Sequence, residues 1–261
     1  MPPSSIWTGT VGFGLVQVPV RIVGATKNRD VSFNQLEAET GSRIRLKRVS
    51  ESTGEEVTPD RIVKGFEISK GRYVVIEPAE LEAIAPRSSH TIEIEEFVDL
   101  ASIDPLFFES SYYLAPDPKA LKPYRLLVAA MRDMQKVAIG RVVMRTKERL
   151  VAIRPLDDVL VVSTMRYADE VLAADDIVPP DDAEVNEREL AMARQLVESL
   201  TVGEFEPDKF KDSYREQVLA MIDKKAAGEE IVAPAAAADA SPVLDLVAAL
   251  EASLARAQKS A

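Results

Sequence analysis

The chain has 261 residues, with 32 Lys and Arg against 43 Asp and Glu, a formal charge of −11, one His and no Cys. Charged residues at 29% and apolar residues at 46% make an ordinary globular composition, long enough for one or two domains with a proper core. The lack of Cys excludes disulfides, thiolate metal sites, iron–sulfur clusters and cysteine nucleophiles, and His90 alone cannot build a multi-histidine metal centre. No apolar run approaches the roughly 18 residues of a membrane helix. Met1-Pro2-Pro3-Ser4-Ser5 lacks the basic-then-apolar pattern of a secretory signal, so a cytoplasmic location is the expectation.

In chain order, the first half reads as strands. Residues 7–20 place Val11, Phe13 and Leu15 in alternation with Gly12, Gly14 and Val16, punctuated by Pro19. Ile44 and Leu46 alternate with Arg43, Arg45 and Lys47, the period of two expected for a strand with unlike faces. A strand over residues 71–76 follows, then Pro78, a short helix over 79–84 and strands over 90–100 and 110–114. Residues 120–134 read as a helix with Leu121, Tyr124, Leu127, Val128 and Met131 on one side. Strands over 137–145, 149–155 and 159–165 complete this part, the first two joined by the turn Thr146-Lys147-Glu148. Short strands at such spacing predict a mainly β fold with added helices, a barrel or sandwich rather than a parallel sheet.

The remainder reads as helical. Asn186 followed by Glu189 fits a capping box, and Leu190, Ala193, Leu196, Val197 and Leu200 form an apolar stripe that Gly203 can close. Pro207 suits the first turn of the next helix, whose buried face would be Phe210, Tyr214, Val218, Met221 and Ile222, with Lys224 and Lys225 near its end. Residues 226–242 carry eight Ala in 17 positions with Pro234 among them, which predicts a linker. Ser241-Pro242 then opens a helix with Val243, Leu246, Val247, Leu250 and Leu254 on one stripe, short enough to be marginal alone. Docking of that stripe into a partner's groove is the favoured reading, and packing back on its own domain is the alternative. The expected organisation is a β unit over 1–183, a helical arm over 184–228, a linker over 229–241 and a docking helix over 242–261.

Catalytic chemistry finds few tools. Gly9, Gly12 and Gly14 lack dinucleotide-loop spacing and read as glycines that accommodate strand curvature. Asp175, Asp176, Asp181 and Asp182 surround Pro179-Pro180 without calcium-loop spacing and read as a solvated loop. His90 has no Ser-His-Asp setting, and Trp7 reads as core. No metal site and no cofactor are expected.

Charge is segregated along the chain. Residues 1–48 carry 7 basic and 3 acidic groups, and residues 119–154 carry 10 and 2. Residues 49–118 carry 5 and 15, and residues 155–230 carry 8 and 20. With a Debye length of roughly 8 Å, such patches matter more than the total. The first basic patch is Arg43, Arg45 and Lys47 with Arg48 beside them. The second is Arg141, Arg145, Lys147 and Arg149, with Arg132 and Lys136 upstream. Arg offers phosphate a bidentate fork and Lys a point charge, so these surfaces suit a nucleic-acid backbone, a solvated face being the plainer alternative. No recognition helix, zinc finger or aromatic ribonucleoprotein motif accompanies them, so sequence readout is not expected.

Distinctive blocks lie at residues 5–20 (Ser-Ile-Trp-Thr-Gly-Thr-Val-Gly-Phe-Gly-Leu-Val-Gln-Val-Pro-Val), 30–36 (Asp-Val-Ser-Phe-Asn-Gln-Leu) and 42–49 (Ser-Arg-Ile-Arg-Leu-Lys-Arg-Val). Ile62-Val-Lys-Gly65, Gly71-Arg-Tyr-Val74, Ser111-Tyr-Tyr-Leu-Ala-Pro116 and residues 207–217 continue them in order. These blocks carry a resemblance to the bacterial Ku family. It implies a β-barrel core with a DNA-encircling bridge and a helical C-terminal arm, assembled as a homodimeric ring around duplex DNA. It further implies non-catalytic, sequence-independent binding of DNA ends, recruitment of ligase D for non-homologous end joining, and nucleoid association. Many relatives carry a Cys-x-x-Cys pair after the basic strand; the run here is Val49-Ser50-Glu51-Ser52-Thr53-Gly54, so no thiolate site carries over. Some also carry a long lysine-rich tail, whereas only Arg256 and Lys259 are basic here after the terminal helix. The rivals are a protein-binding adaptor that uses the acidic surface and tail helix, and a nuclease or ligase, for which no nucleophile–base constellation is visible.

Overall fold

Gly14 takes a φ of +58°, which an L side chain rarely adopts, and so the alternating run at the start of the chain folds back as two strands rather than continuing as one. β1 (Ser5–Phe13) and β2 (Val16–Gly24) pair antiparallel, with Val11 opposite Val18 and Pro19 inside β2 opposite Thr10. A computed structural model describes residues 4–85, 90–144, 147–177, 185–229 and 246–260, without the side chains of residues 175, 176, 246 and 257–260.

Numbering the strands from β3 (Lys64–Ser69) and β4 (Arg72–Ile76), the main sheet adds β5 (Thr91–Asp99), β6 (Phe108–Pro116), β7 (Lys136–Met144), β8 (Lys147–Leu156) and β9 (Val159–Met165). Their order is β1-β2-β6-β9-β8-β7-β5, and a parallel pairing of β5 with β1 closes the barrel. Alternate side chains point inward, so Ile22, Ile92, Leu114, Ile153 and Leu160 are fully buried. A Cβ on Gly140 would sit 2.2 Å from the carbonyl oxygen of Glu93, so the close approach of β7 to β5 needs glycine there.

The barrel is plugged at both ends. Helix α2 (Leu121–Asp133) buries Tyr124, Leu127, Val128 and Met131 against one end. The Tyr124 hydroxyl donates to the Leu114 carbonyl at 2.7 Å and accepts from the Leu160 N–H at 2.7 Å, tying α2 to the edge of the β6–β9 ladder. Burial pushes the Tyr124 pKa above its usual value, and the bond from Leu160 opposes that in part. At the other end Trp7 is buried, and its indole N–H donates to the Val143 carbonyl at 3.2 Å. His90 is exposed, and its carbonyl accepts the Thr10 N–H at 2.8 Å, a backbone role.

Residues 34–85 differ from the barrel in kind. They contain the β3–β4 hairpin, the short helix α1 (Pro78–Ile84) and two isolated β-bridges, Leu36 to Arg43 and Val49 to Glu56. None of their side chains is buried. The strand expected over residues 43–47 does not form, because no neighbouring strand takes up its ladder and every side chain in it is exposed. β3 is an addition that the sequence reading did not contain.

The chain divides into two compact units, residues 1–28 with 34–173, and residues 29–33 with 174–261. The second contains α3 (Glu187–Leu200), α4 (Ser213–Ala226) and α5 (Leu246–Ser260). Asn186 caps α3 by accepting the Arg188 N–H at 2.9 Å, and the helix ends at extended Thr201 rather than at Gly203. Pro207 opens a single 3-10 turn, and α4 starts later, where Asp212 accepts the Arg215 N–H. Phe210 and Tyr214, expected in a buried face, are 74% and 76% exposed, and Phe210 stacks on Phe205 with centroids 5.6 Å apart. Val218 is the one buried apolar residue among those described in this unit. The terminal helix α5 packs on α3, with Arg188 3.9 Å from Glu251, which is the packing-at-home arrangement within the single chain. Val247, Leu250 and Leu254 are half-buried in α5, while Val243 and residues 230–241 of the linker expected over 229–241 lie outside the described residues. Among the described residues no helix is long and apolar enough to cross a membrane.

Candidate nucleic-acid interface

Strand length separates the basic residues that cluster in sequence. β7 spans about 26 Å from Lys136 to Met144 at 3.3 Å per residue. Arg132 in the last turn of α2 and Lys136 at the start of β7 lie at the α2 end, paired with Asp158 at 3.1 Å and Asp99 at 2.6 Å. Arg141, Lys147 and Arg149 lie toward the opposite end, where Trp7 forms the plug and β2 finishes at Gly24. Arg145 falls between Met144 and Lys147, outside the described residues. The second basic patch is therefore two groups, one at each end of the barrel.

At the Trp7 end the arginines already have anionic partners. Arg141 points outward, opposite in parity to core residues Ala138 and Val142, and stands between two strands' carboxylates. Its Nε lies 3.2 Å from Glu95 Oε1, and its Nη1 3.7 Å from Glu148 Oε1. Glu95 sits at a register shift in β5 between Ile94 and Glu96, a bulge that re-aims its side chain. Arg149 shares parity with buried Val151 and Ile153 and so stands at the barrel mouth, donating to Glu109 Oε2 at 3.2 Å. The buried Thr164 hydroxyl donates to the same oxygen at 3.1 Å, fixing the carboxylate. Trp7, Tyr112, Arg149 and Thr164 help line a cavity of about 170 Å³ there. Lys147 is exposed and has no ion pair among the described residues.

On residues 34–85 the basic run forms an extended arm between two tight loops, since the bridges at Arg43 and Val49 flank it. The Ile44 N–H bonds to Gln35, and Arg48 accepts from Val57, so the backbone of this arm is held on both sides. Arg43 donates to Asn34 Oδ1 at 2.7 Å and Lys47 to Glu56 Oε2 at 2.6 Å. Arg45 and Arg48 have no side-chain partner among the described residues. All these ion pairs are solvent-exposed, so each contributes at most about 1 kcal/mol and exchanges readily for a phosphate. Glu95, Glu109 and Glu148 were not legible as parts of this site, because Glu109 meets Arg149 across 40 residues of sequence. Among the described residues no group of His, Asp or Glu is arranged to hold a metal ion.

Comparison with known proteins supplies the family. Residues 12–192 match the model of the Ku70/Ku80 beta-barrel domain. The chain is 46% identical over 256 residues to the non-homologous end joining protein Ku of Anaeromyxobacter sp. (strain K), covering 98% of this chain and 86% of that protein. It is 41% identical over 251 residues to the protein of the same name from Heliobacterium modesticaldum, covering 96% and 91%. With the Bacillus subtilis protein the identity is 34% over 258 residues, covering 98% and 83%. A seven-stranded barrel closed by one parallel pair, with a long exposed stretch between β2 and β5, agrees with those matches, and the chain belongs to the Ku family.

Proposed function

We propose that two copies of this chain form a ring that binds the ends of double-stranded DNA without reading sequence and acts in non-homologous end joining. The observation that carries the reading is the stretch of residues 34–85, which presents a basic arm yet buries none of its side chains. Leu46, Val63, Phe66, Tyr73 and Ile84 are all exposed there, more apolar surface than a solvated stretch retains without a partner. A second copy supplies that partner, and it also covers the apolar residues of the helical unit, Phe205, Phe210 and Tyr214 among them.

Within the ring, Arg43, Arg45, Lys47 and Arg48 meet phosphates from the arm, and Arg141, Lys147 and Arg149 meet them from the Trp7 end of the barrel. Arg132 and Lys136, at the α2 end, stand apart from this group. Phosphate contacts release condensed counterions and carry no base information, which gives affinity without sequence preference. Preference for ends is topological, because a closed ring threads only where a duplex stops. Log affinity falls with log salt at a slope of about −0.9 per phosphate neutralised. The protein carries no catalytic step in this reading and recruits ligase D, the latter resting on the resemblance and on the terminal helix stripe.

The test is a gel shift on linear against covalently closed circular duplex. Retarded linear DNA with unretarded circles is the expected result. Equal binding of both forms overturns the ring, and binding of neither makes the protein an adaptor. Co-precipitation with purified ligase D, with and without a Leu250→Asp substitution, tests the recruitment; no co-precipitation by the parent chain removes it.

A further inference from the structure

We infer that Glu95, Glu109 and Glu148 are built-in competitors of phosphate, which hold Arg141 and Arg149 when DNA is absent and weaken the grip when it is present. The inference rests on the DNA-end reading and adds to it the residues that limit affinity. Three observations carry it. Arg141 and Arg149, two of the cations on the barrel side of the proposed interface, are ion-paired, at 3.2 Å in each case. The scaffold places the carboxylates beside the arginines: Glu109 accepts from the buried Thr164 hydroxyl at 3.1 Å, and Glu95 sits at the β5 bulge. Glu148 adds a second anion 3.7 Å from Arg141, so the immediate surroundings of that guanidinium carry more negative than positive charge.

A phosphate that takes Arg141 or Arg149 must displace a carboxylate or share the arginine with it. Each such contact then releases fewer counterions than a bare cation would, and the salt slope is shallower than a count of Lys and Arg implies. For a ring that threads a duplex, this brake keeps the grip weak enough to slide and to come off again. Lys147, Arg45 and Arg48, without carboxylate partners among the described residues, supply the unopposed part of the attraction.

The experiment measures the affinity of the full-length chain for a short linear duplex, and its salt slope, in Glu109→Gln and in Glu95→Gln/Glu148→Gln. Asp158→Asn serves as the charge-matched control for Glu109→Gln, and Asp158→Asn/Asp99→Asn for the double variant, because these remove one and two carboxylates at the α2 end. Glutamine keeps the oxygen that accepts from Thr164, so Glu109→Gln leaves that bond intact; the Glu95/Glu148 variant reports independently of it. Each carboxylate removed is expected to tighten binding about two- to fivefold, the scale of one exposed ion pair, and to steepen the salt slope, while the matched controls leave both unchanged. Unchanged binding in both glutamine variants overturns the inference, as does equal tightening by the matched controls, which would assign the effect to net charge. A parent chain that fails to bind the linear duplex overturns the DNA-end reading itself.

Discussion

The barrel and residues 34–85 use similar residues to opposite ends. In β8 and β9 the apolar positions meet neighbours on both sides and above, and Val151, Ile153, Leu160 and Val162 are buried. In β3 and β4 the same kind of residue, Phe66, Ile68, Tyr73 and Val75, faces solvent on a two-stranded ribbon. A lone hairpin of two strands is marginal in water, and this one has no third strand to cover it. The difference shows that apolar alternation makes a strand only where topology supplies a partner, and that an apolar surface left without one within a chain is available to another molecule.

Core substitution is the largest expected effect and the most direct way to break the comparison. Ile153→Ala, fully buried, should cost about 2–5 kcal/mol in urea unfolding, through lost transfer energy and a residual cavity. Leu46→Ala, at 91% exposure, should stay within about 0.5 kcal/mol. Equal costs at the two positions would mean that the arm is packed against something in the single chain. Gly140→Ala comes next, at about 1–3 kcal/mol, since its Cβ would meet backbone of β5 rather than a side chain able to rotate aside.

Tyr124→Phe should cost about 1–3 kcal/mol, because it leaves the Leu160 N–H and the Leu114 carbonyl without their partner at a buried ladder end. It also carries a pH signature. Burial raises the Tyr124 pKa, so the folded state holds this proton more tightly than the unfolded chain does. That contribution is complete below pH ~10 and is lost as pH rises through the folded value. Thermal melts from pH ~9 to pH ~11, across the ordinary tyrosine value, should therefore fall more steeply for the parent than for Tyr124→Phe; identical slopes would remove the tyrosine from the account.

Most of the barrel was legible because period two and turn residues are local signals. β5 to β9 and α2 appear close to where alternation and the Leu121–Met131 stripe put them. What failed were predictions that depend on neighbours. The strand over 43–47 had the right period and no partner among the described residues, and Phe210 and Tyr214, drawn into the buried face of α4, are exposed while only Val218 of that face is fully buried. The basic residues were legible as residue types but not as a site. Lys136 and Arg141 are near in sequence yet about 17 Å apart along β7, and no sequence signal links Glu109 to Arg149. Capping at Asn186 was local and appears, whereas the closure assigned to Gly203 was pre-empted by extended Thr201.

The smallest effect sharpens the comparison from the electrostatic side. Glu56→Gln on the arm and Asp99→Asn on the barrel each remove one carboxylate from an ion pair of 2.6 Å. Both carboxylates are more than half exposed, so solvent screens the pairs, and each substitution should change unfolding free energy by less than about 1 kcal/mol. If Glu56→Gln instead unfolded the arm, its charges would be what orders it, and the exposed leucines and Phe66 would not require a covering partner. A null result leaves backbone hydrogen bonds and a second copy's surface as the sources of order, and amide exchange over residues 34–85 should then slow as protein concentration rises, while exchange in β8 and β9 stays constant.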